Sequence, residues 1–294
     1  MRHLLAADWV RFGRRRDLWI LVALVPVILA VMFVAEFNSV TTAPAHSFNF
    51  GSSDPVEQAA VLAQMQAEDL ANFQAQVATE LPAFAFPASL LKVAGNFGPV
   101  VLLAIYLGAA LVGGEFEWGT VRTVHLTSSR GATLATRIGA VVGLIALVIG
   151  IGLTFGAVLP FLLSFEGTPL QQYAAPVPDL WAGIATRLLV VLPFIAIPVL
   201  AAILARAIGF AFLLTLLFFA ADLAVTGAPF WSTSPTPWMP ALTVSGSISR
   251  LFGGPDVPLA SVAPIGVSVV ALLAWTVVPI VVAVVRFQRL DINE

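Results

Sequence analysis

The residues of this 294-residue chain best placed to act together lie in one polar stretch, 113–137, reading GGEFEWGTVRTVHLTSSRGATLATR. It sets two carboxylates, Glu115 and Glu117, and three arginines, Arg122, Arg130 and Arg137, between long apolar runs. Arg122 follows Glu115 by seven residues and Glu117 by five, Ser128 and Ser129 offer helix N-cap hydroxyls, and Arg130 and Arg137 flank the next apolar run. The pattern predicts a short helix along a membrane surface, tied to the adjoining spans by glutamate–arginine pairs. A solvated loop whose charges only set topology has the same composition. Gly113-Gly114, with no side chains to hinder a turn, is predicted to end the span before it.

Within the apolar runs ionisable groups are few. Arg187 and Asp222 form a candidate intramembrane pair, because either charge alone is costly in hydrocarbon. A proton or substrate site and a structural or headgroup-level pair are the two readings. Asp222 lies about 24 Å along a helix from Arg206 at about 1.5 Å per residue, and Glu36 is predicted to face water at the end of the first span. The chain has no cysteine and one lysine, Lys92. It contains no G-x-x-x-x-G-K-[ST], H-E-x-x-H or G-x-S-x-G pattern. His3, His46 and His125 are far apart in sequence. No metal ligand set, cofactor site or catalytic residue is predicted, and the chain is not expected to be an enzyme.

The elements that must position these groups are membrane helices. Hydrophobic residues make up 59% of the chain and charged residues 10%, with a mean hydropathy of +0.97; soluble domains carry about 25% charged residues. The net charge of −2 argues against a nucleic-acid partner. Spans are predicted at 18–37, 90–112, 138–163, 181–205, 208–226 and 262–285, each approaching the roughly 20 residues that cross the hydrocarbon core. They must be helices, since lipid offers no partner for free backbone groups. The fold class is therefore all-α integral membrane, one domain over 1–294. The first apolar run, although trailed by the cleavage-like Ala43-Pro44-Ala45, exceeds the usual 7–15 residues of a signal core and reads as a retained span. Pro26, Pro193, Pro198 and Pro279 are tolerable kink sites.

Arginine placement sets the orientation. With the N-terminus cytoplasmic, Arg2, Arg11, Arg14, Arg15, Arg16, Arg122, Arg130, Arg137, Arg206, Arg286 and Arg289 fall inside, and only Lys92, Arg187 and Arg250 outside. Both termini and the 113–137 stretch are then cytoplasmic, in a multi-pass inner or plasma membrane protein. Residues 1–17 are predicted to hold a short interfacial helix, with Leu5, Trp9 and Phe12 on one face, the other reading being a basic tail that only sets topology. The acidic outer connection 38–89 is predicted to contain a helix from Pro55 to about Glu80, N-capped by Asp54 with Glu57 completing a capping box. Leu62, Met65, Leu70, Phe73 and Val77 give it an apolar stripe, predicted to pack on this protein or a second copy, with a ligand platform as the other reading. The connection 227–261 is rich in Pro, Gly and Trp, and its apolar centre, 238–252, is too short to span and reads as interfacial or re-entrant.

Gly114-x-x-x-x-Gly119-Thr120-x-Arg122, with Glu115 after the first glycine, Ser129-Arg130 seven and eight residues after Arg122, and Arg137 seven further on, resembles the signature of ABC-2 type transporter permeases. One departure is Thr127, where that family often has a proline. The resemblance implies the transmembrane subunit of an ATP-driven exporter, with the fold of the ABCG-like transporters. Residues 1–17 would be its elbow helix and 113–137 its coupling helix, while 227–261 would supply re-entrant helices. Glu115, Glu117 and Arg122 would brace the base of the spans, with Gly119, Thr120, Ser128, Ser129, Arg130 and Arg137 toward a separate cytoplasmic ATPase that binds ATP and magnesium. A second permease copy or homologue would complete the pathway. An ion-coupled secondary carrier and a non-transporting membrane scaffold are the rival readings.

Overall fold

The computed structural model describes residues 16–42, 55–117, 130–227, 239–252 and 264–289. These residues are almost wholly helical. The helices are α1 (Arg16–Thr41), α2 (Pro55–Glu80), α3 (Ala88–Gly95), α4 (Phe97–Glu117), α5 (Arg130–Leu162), α6 (Leu180–Val191), α7 (Pro193–Ala205), α8 (Ile208–Thr226), α9 (Val244–Phe252) and α10 (Ile265–Arg289). A two-stranded hairpin, β1 (Ser164–Phe165) and β2 (Thr168–Pro169), turns through Glu166 and Gly167.

Among the described residues five stretches are long and apolar enough to cross a membrane: Leu18–Thr41, Gly131–Leu162, Leu180–Ala205, Ile208–Thr226 and Ile265–Arg289. The chain is an all-α, multi-pass membrane protein. The run predicted as one span over 90–112 is instead split. Helix α3 ends at Gly95, Asn96 leaves the helical region, and α4 restarts at Phe97. Pro99 supplies the reason, since a proline fits a helix's first turn but removes a bond from its interior. The span over 181–205 is likewise two helices, with Pro193 opening the second. Helix α4 does not stop at Gly113-Gly114 as predicted, but continues to Glu117.

The described chain forms two compact units. Unit 1 comprises Met1–Val25, Phe97–Gly150 and Ala185–Glu294, and unit 2 Pro26–Asn96 and Ile151–Ile184. Unit 1 is centred on α7, ten of whose residues are buried. Its core joins Ala109 and Val112 of α4, Leu134 of α5, Val199, Ala201, Ala202 and Ile203 of α7, Ala211 of α8, and Ala283 and Phe287 of α10. Lipid removes most of the hydrophobic drive for helix association, so close van der Waals packing of small residues must carry it. The alanines of this core serve that packing.

Unit 2 gathers Phe33 and Phe37 of α1 edge-on around Phe84, with ring centroids 5.3 and 5.7 Å away. Phe84 lies in a 3-10 turn, Leu81–Phe84, that joins α2 to α3. The side-chain amide of Gln171 closes this turn by pairing with both the C=O and the N–H of Phe86, at 2.8 and 3.1 Å. Helix α2 has the bounds the sequence predicted. Its covered face is Met65, Asp69, Phe73 and Val77, whereas Leu70, assigned to the stripe, is exposed. The predicted cap at Asp54 lies outside the described residues.

Candidate functional site

The predicted coupling stretch is described at its two ends. Glu115 falls within α4 and Arg130 opens α5, while Gly119, Thr120, Arg122, Ser128 and Ser129 lie outside the described residues, as does the predicted 1–15 part of the elbow helix. At the near end, the carboxylate of Glu117 accepts the backbone N–H of Ile208 at 2.6 Å. Ile208 is the first residue of α8, and the residue before it, Ala207, has no side chain to cap that helix. The carboxylate therefore caps a helix 91 residues away and meets the positive end of its dipole.

Two features make that contact reachable. An added methyl group at Gly113 would lie only 3.2–3.3 Å from backbone atoms of Ala207 and Ile208, so glycine permits the close approach of α4 to the start of α8. Arg206 adopts a left-handed conformation (φ 53°), its N–H closes the last turn of α7 on Ala202 at 2.9 Å, and Ala207 is extended. Two residues thus reverse the chain between α7 and α8. At the far end of the stretch, Arg137 is buried at 4% exposure beside buried Thr133 and Thr136. It is part of the packed base of α5, not of an open face. The rings of Phe116 and Phe287, 6.2 Å apart at 90°, pack near this base.

Arg187 and Asp222, predicted as a candidate pair, are directed to opposite ends of α9. Asp222, 8% exposed, accepts the N–H of Val244 through Oδ1 at 3.0 Å and of Ser245 through Oδ2 at 2.8 Å. The Arg187 guanidinium lies over the ring of Phe252, the last residue of α9, 5.0 Å from its centroid. Thr226 of α8 meets the hydroxyl of Thr243 at 2.6 Å, and the Trp275 indole of α10 donates to the carbonyl of Leu242 at 2.8 Å. The sequence placed a short interfacial element over 238–252 but not these partners. Caps that join residues 22 positions apart through a backbone N–H leave no local pattern.

In unit 2, Glu36 forms an ion pair with Lys92 at 3.4 Å, and the same ammonium lies 4.1 Å from the Phe84 ring centroid. Glu36 was expected only to face water. Both side chains are partly exposed, so the pair contributes little stability. Among the described residues no group of three or more His, Asp or Glu side chains is arranged to hold a metal ion.

What the arrangement can do is mechanical: a carboxylate at the foot of α4 holds the start of α8, and a second carboxylate on α8 holds the start of α9. No family model, no curated protein and no solved structure matches this chain.

Proposed function

We propose that the chain is the permease subunit of an ATP-driven exporter, working with a separate cytoplasmic ATP-binding subunit and a second permease copy or homologue. The observation that carries the reading is the Glu117–Ile208 contact, because it makes the start of α8 follow any movement of the polar stretch beyond Glu117. The residue pattern Gly114 to Arg137 supports the same assignment, and in this reading ATP and magnesium bind to the partner. In this reading six spans cross the inner or plasma membrane, α3 and α4 together supply the second, and both termini are cytoplasmic. ATP-driven closure of the partner subunits pushes on 113–137, Glu117 passes the displacement to α8, and the spans switch between arrangements as rigid bodies. Glu115, Glu117 and Arg122 brace the base, and Ser128, Ser129 and Arg130 lie toward the ATPase.

The test is co-purification of the full chain from its native membrane, followed by charge reversal. An ATP-hydrolysing subunit is expected to accompany the chain. Glu117→Arg and Arg130→Glu are each expected to leave the protein inserted while abolishing ATP-dependent transport. Transport unaffected by either reversal, or a chain that purifies without any ATPase, defeats the proposal.

A further inference from the structure

The last turn of α10 carries two arginines, Arg286 and Arg289, that take no part in the contacts described above. Both are exposed, and among the described residues neither forms an ion pair. The acidic side chain described at this end of the unit, Glu117, is turned to the N–H of Ile208. Asp291 and Glu294 follow in the sequence, outside the described residues. The turn itself is held in place. Phe287 belongs to the core of unit 1 and packs edge-on against Phe116. A methyl group added at Gly131 would lie 3.4 Å from the Gln288 amide, so the start of α5 stands against the same turn. With Phe287 turned inward, Arg286 and Arg289 are left on the outside of the unit.

That outside surface continues an apolar stripe. Val278, Val282, Val285 and Arg289 succeed one another at spacings of four, three and four residues, which is one helix face, and the three valines are exposed. Arg286 lies beside them, four residues after Val282. Helix α10 has 25 residues, about 37 Å, against a hydrocarbon core of about 30 Å. A guanidinium is costly in hydrocarbon, so the excess length belongs at this end. The arginines then stand at headgroup level, and the valines face acyl chains.

An apolar stripe that ends in two cations fits one molecule with an apolar chain and an anionic head. We propose that Arg286, Arg289 and the valine stripe form a seat for an anionic phospholipid. Its phosphate takes the two guanidiniums through charge-assisted bonds, and an acyl chain lies along Val278, Val282 and Val285. A zwitterionic lipid fits less well, because its own cation competes with the arginines. A topology signal needs only positive charge near a span; this pair is fixed by a buried neighbour and aligned with a lipid-facing stripe. The inference stands whether or not the chain works with an ATPase.

The chain has no cysteine, so a fluorophore on Val285→Cys reports on the seat alone. A fluorophore on Val270→Cys, exposed toward the other end of α10, is the control. Each labelled full chain is reconstituted in phosphatidylcholine vesicles with brominated phosphatidylglycerol or brominated phosphatidylcholine as quencher. At 285, half-quenching should need about one fifth or less as much of the anionic lipid as of the zwitterionic one. At 270 the two lipids should quench alike. Arg286→Gln with Arg289→Gln should remove the preference at 285 and leave 270 unchanged, which also reports that the variant is inserted. If that variant does not insert, the comparison of 285 with 270 in the native-arginine chain decides alone. The proposal is overturned if 285 shows no preference, the result expected if the tail carboxylates or an acidic protein surface are the arginines' partner. It is equally overturned if neither lipid quenches 285 while both quench 270, as a second copy on this face would give, or if the preference survives loss of both arginines.

Discussion

A methyl group added at Gly246 would overlap the carbonyl oxygen of Pro240 and sit 2.7 Å from its carbon, both backbone atoms that cannot swing aside. At Gly113 the same methyl would meet Ala207 and Ile208 at 3.2–3.3 Å, a gap that a shift of a few tenths of an ångström relieves. Overpacking a well-filled site costs about 1–3 kcal/mol, and these two distances place the substitutions at opposite ends of that range. Gly246→Ala is expected to cost about 3 kcal/mol and Gly113→Ala about 1 kcal/mol, so thermal unfolding in detergent should show the larger loss of Tm for Gly246→Ala. The reverse order would mean that the approach of α4 to α8 is tighter than the seat of α9. Sequence reading took Gly113 for a turn because glycine has two uses, and only the neighbouring backbone distinguishes them.

Among the elements, the joint between α2 and α3 depends most on one side chain. Phe84 is fully buried, edge-on to Phe33 and Phe37, and covered by the Lys92 ammonium. Among the side chains of 64–80 the buried one is Val77, close to this joint. Phe84→Ala is expected to cost about 3–5 kcal/mol and to loosen α2 first, read as early proteolysis within 64–80 before any cut in α4. Lys92→Met removes only the partly exposed ion pair and the ring contact, and should cost about 1 kcal/mol or less. Equal losses from the two substitutions would shift the weight from the aromatic cluster to the charge. The elements themselves were largely legible. Apolar length marked five stretches that are long enough to cross a membrane among the described residues, and the proline-led run from Pro55 to Glu80 matches α2. The break at Asn96 was present as Asn96-Phe97-Gly98-Pro99 but was overridden by the apolar residues around it. The covered stripe of α2 was missed at Asp69 because hydrophobicity alone does not tell which side chains a neighbour shields.

At the scale of the molecule, the sequence carried the class and left the connections between helices unread. Arginine bias predicts which loops share a side, and apolar length marks five stretches of the described residues as able to cross a membrane, since both are sums over many residues. Glu117 on Ile208 and Asp222 on Val244 were invisible because each joins a side chain to a backbone group of a distant helix. The arginine bias still makes a prediction that spans the whole fold. Glu117 and Arg206 are exposed at ends of α4 and α7 that meet the same turn, and Gln172 is exposed just past the hairpin that follows α5. Helix α5 runs for 33 residues, about 50 Å, more than the hydrocarbon thickness. Under the proposed six-span layout, Gln172→Cys is expected on the side opposite to Glu117→Cys and Arg206→Cys. In the cysteine-free native background, a membrane-impermeant maleimide added to intact cells should label Gln172→Cys, and should label the other two only after permeabilisation. The inverse pattern would keep the six spans and turn the protein over, placing 113–137 beyond the reach of a cytoplasmic ATPase. Labelling of all three from one side would remove α5 as a crossing and with it the six-span layout.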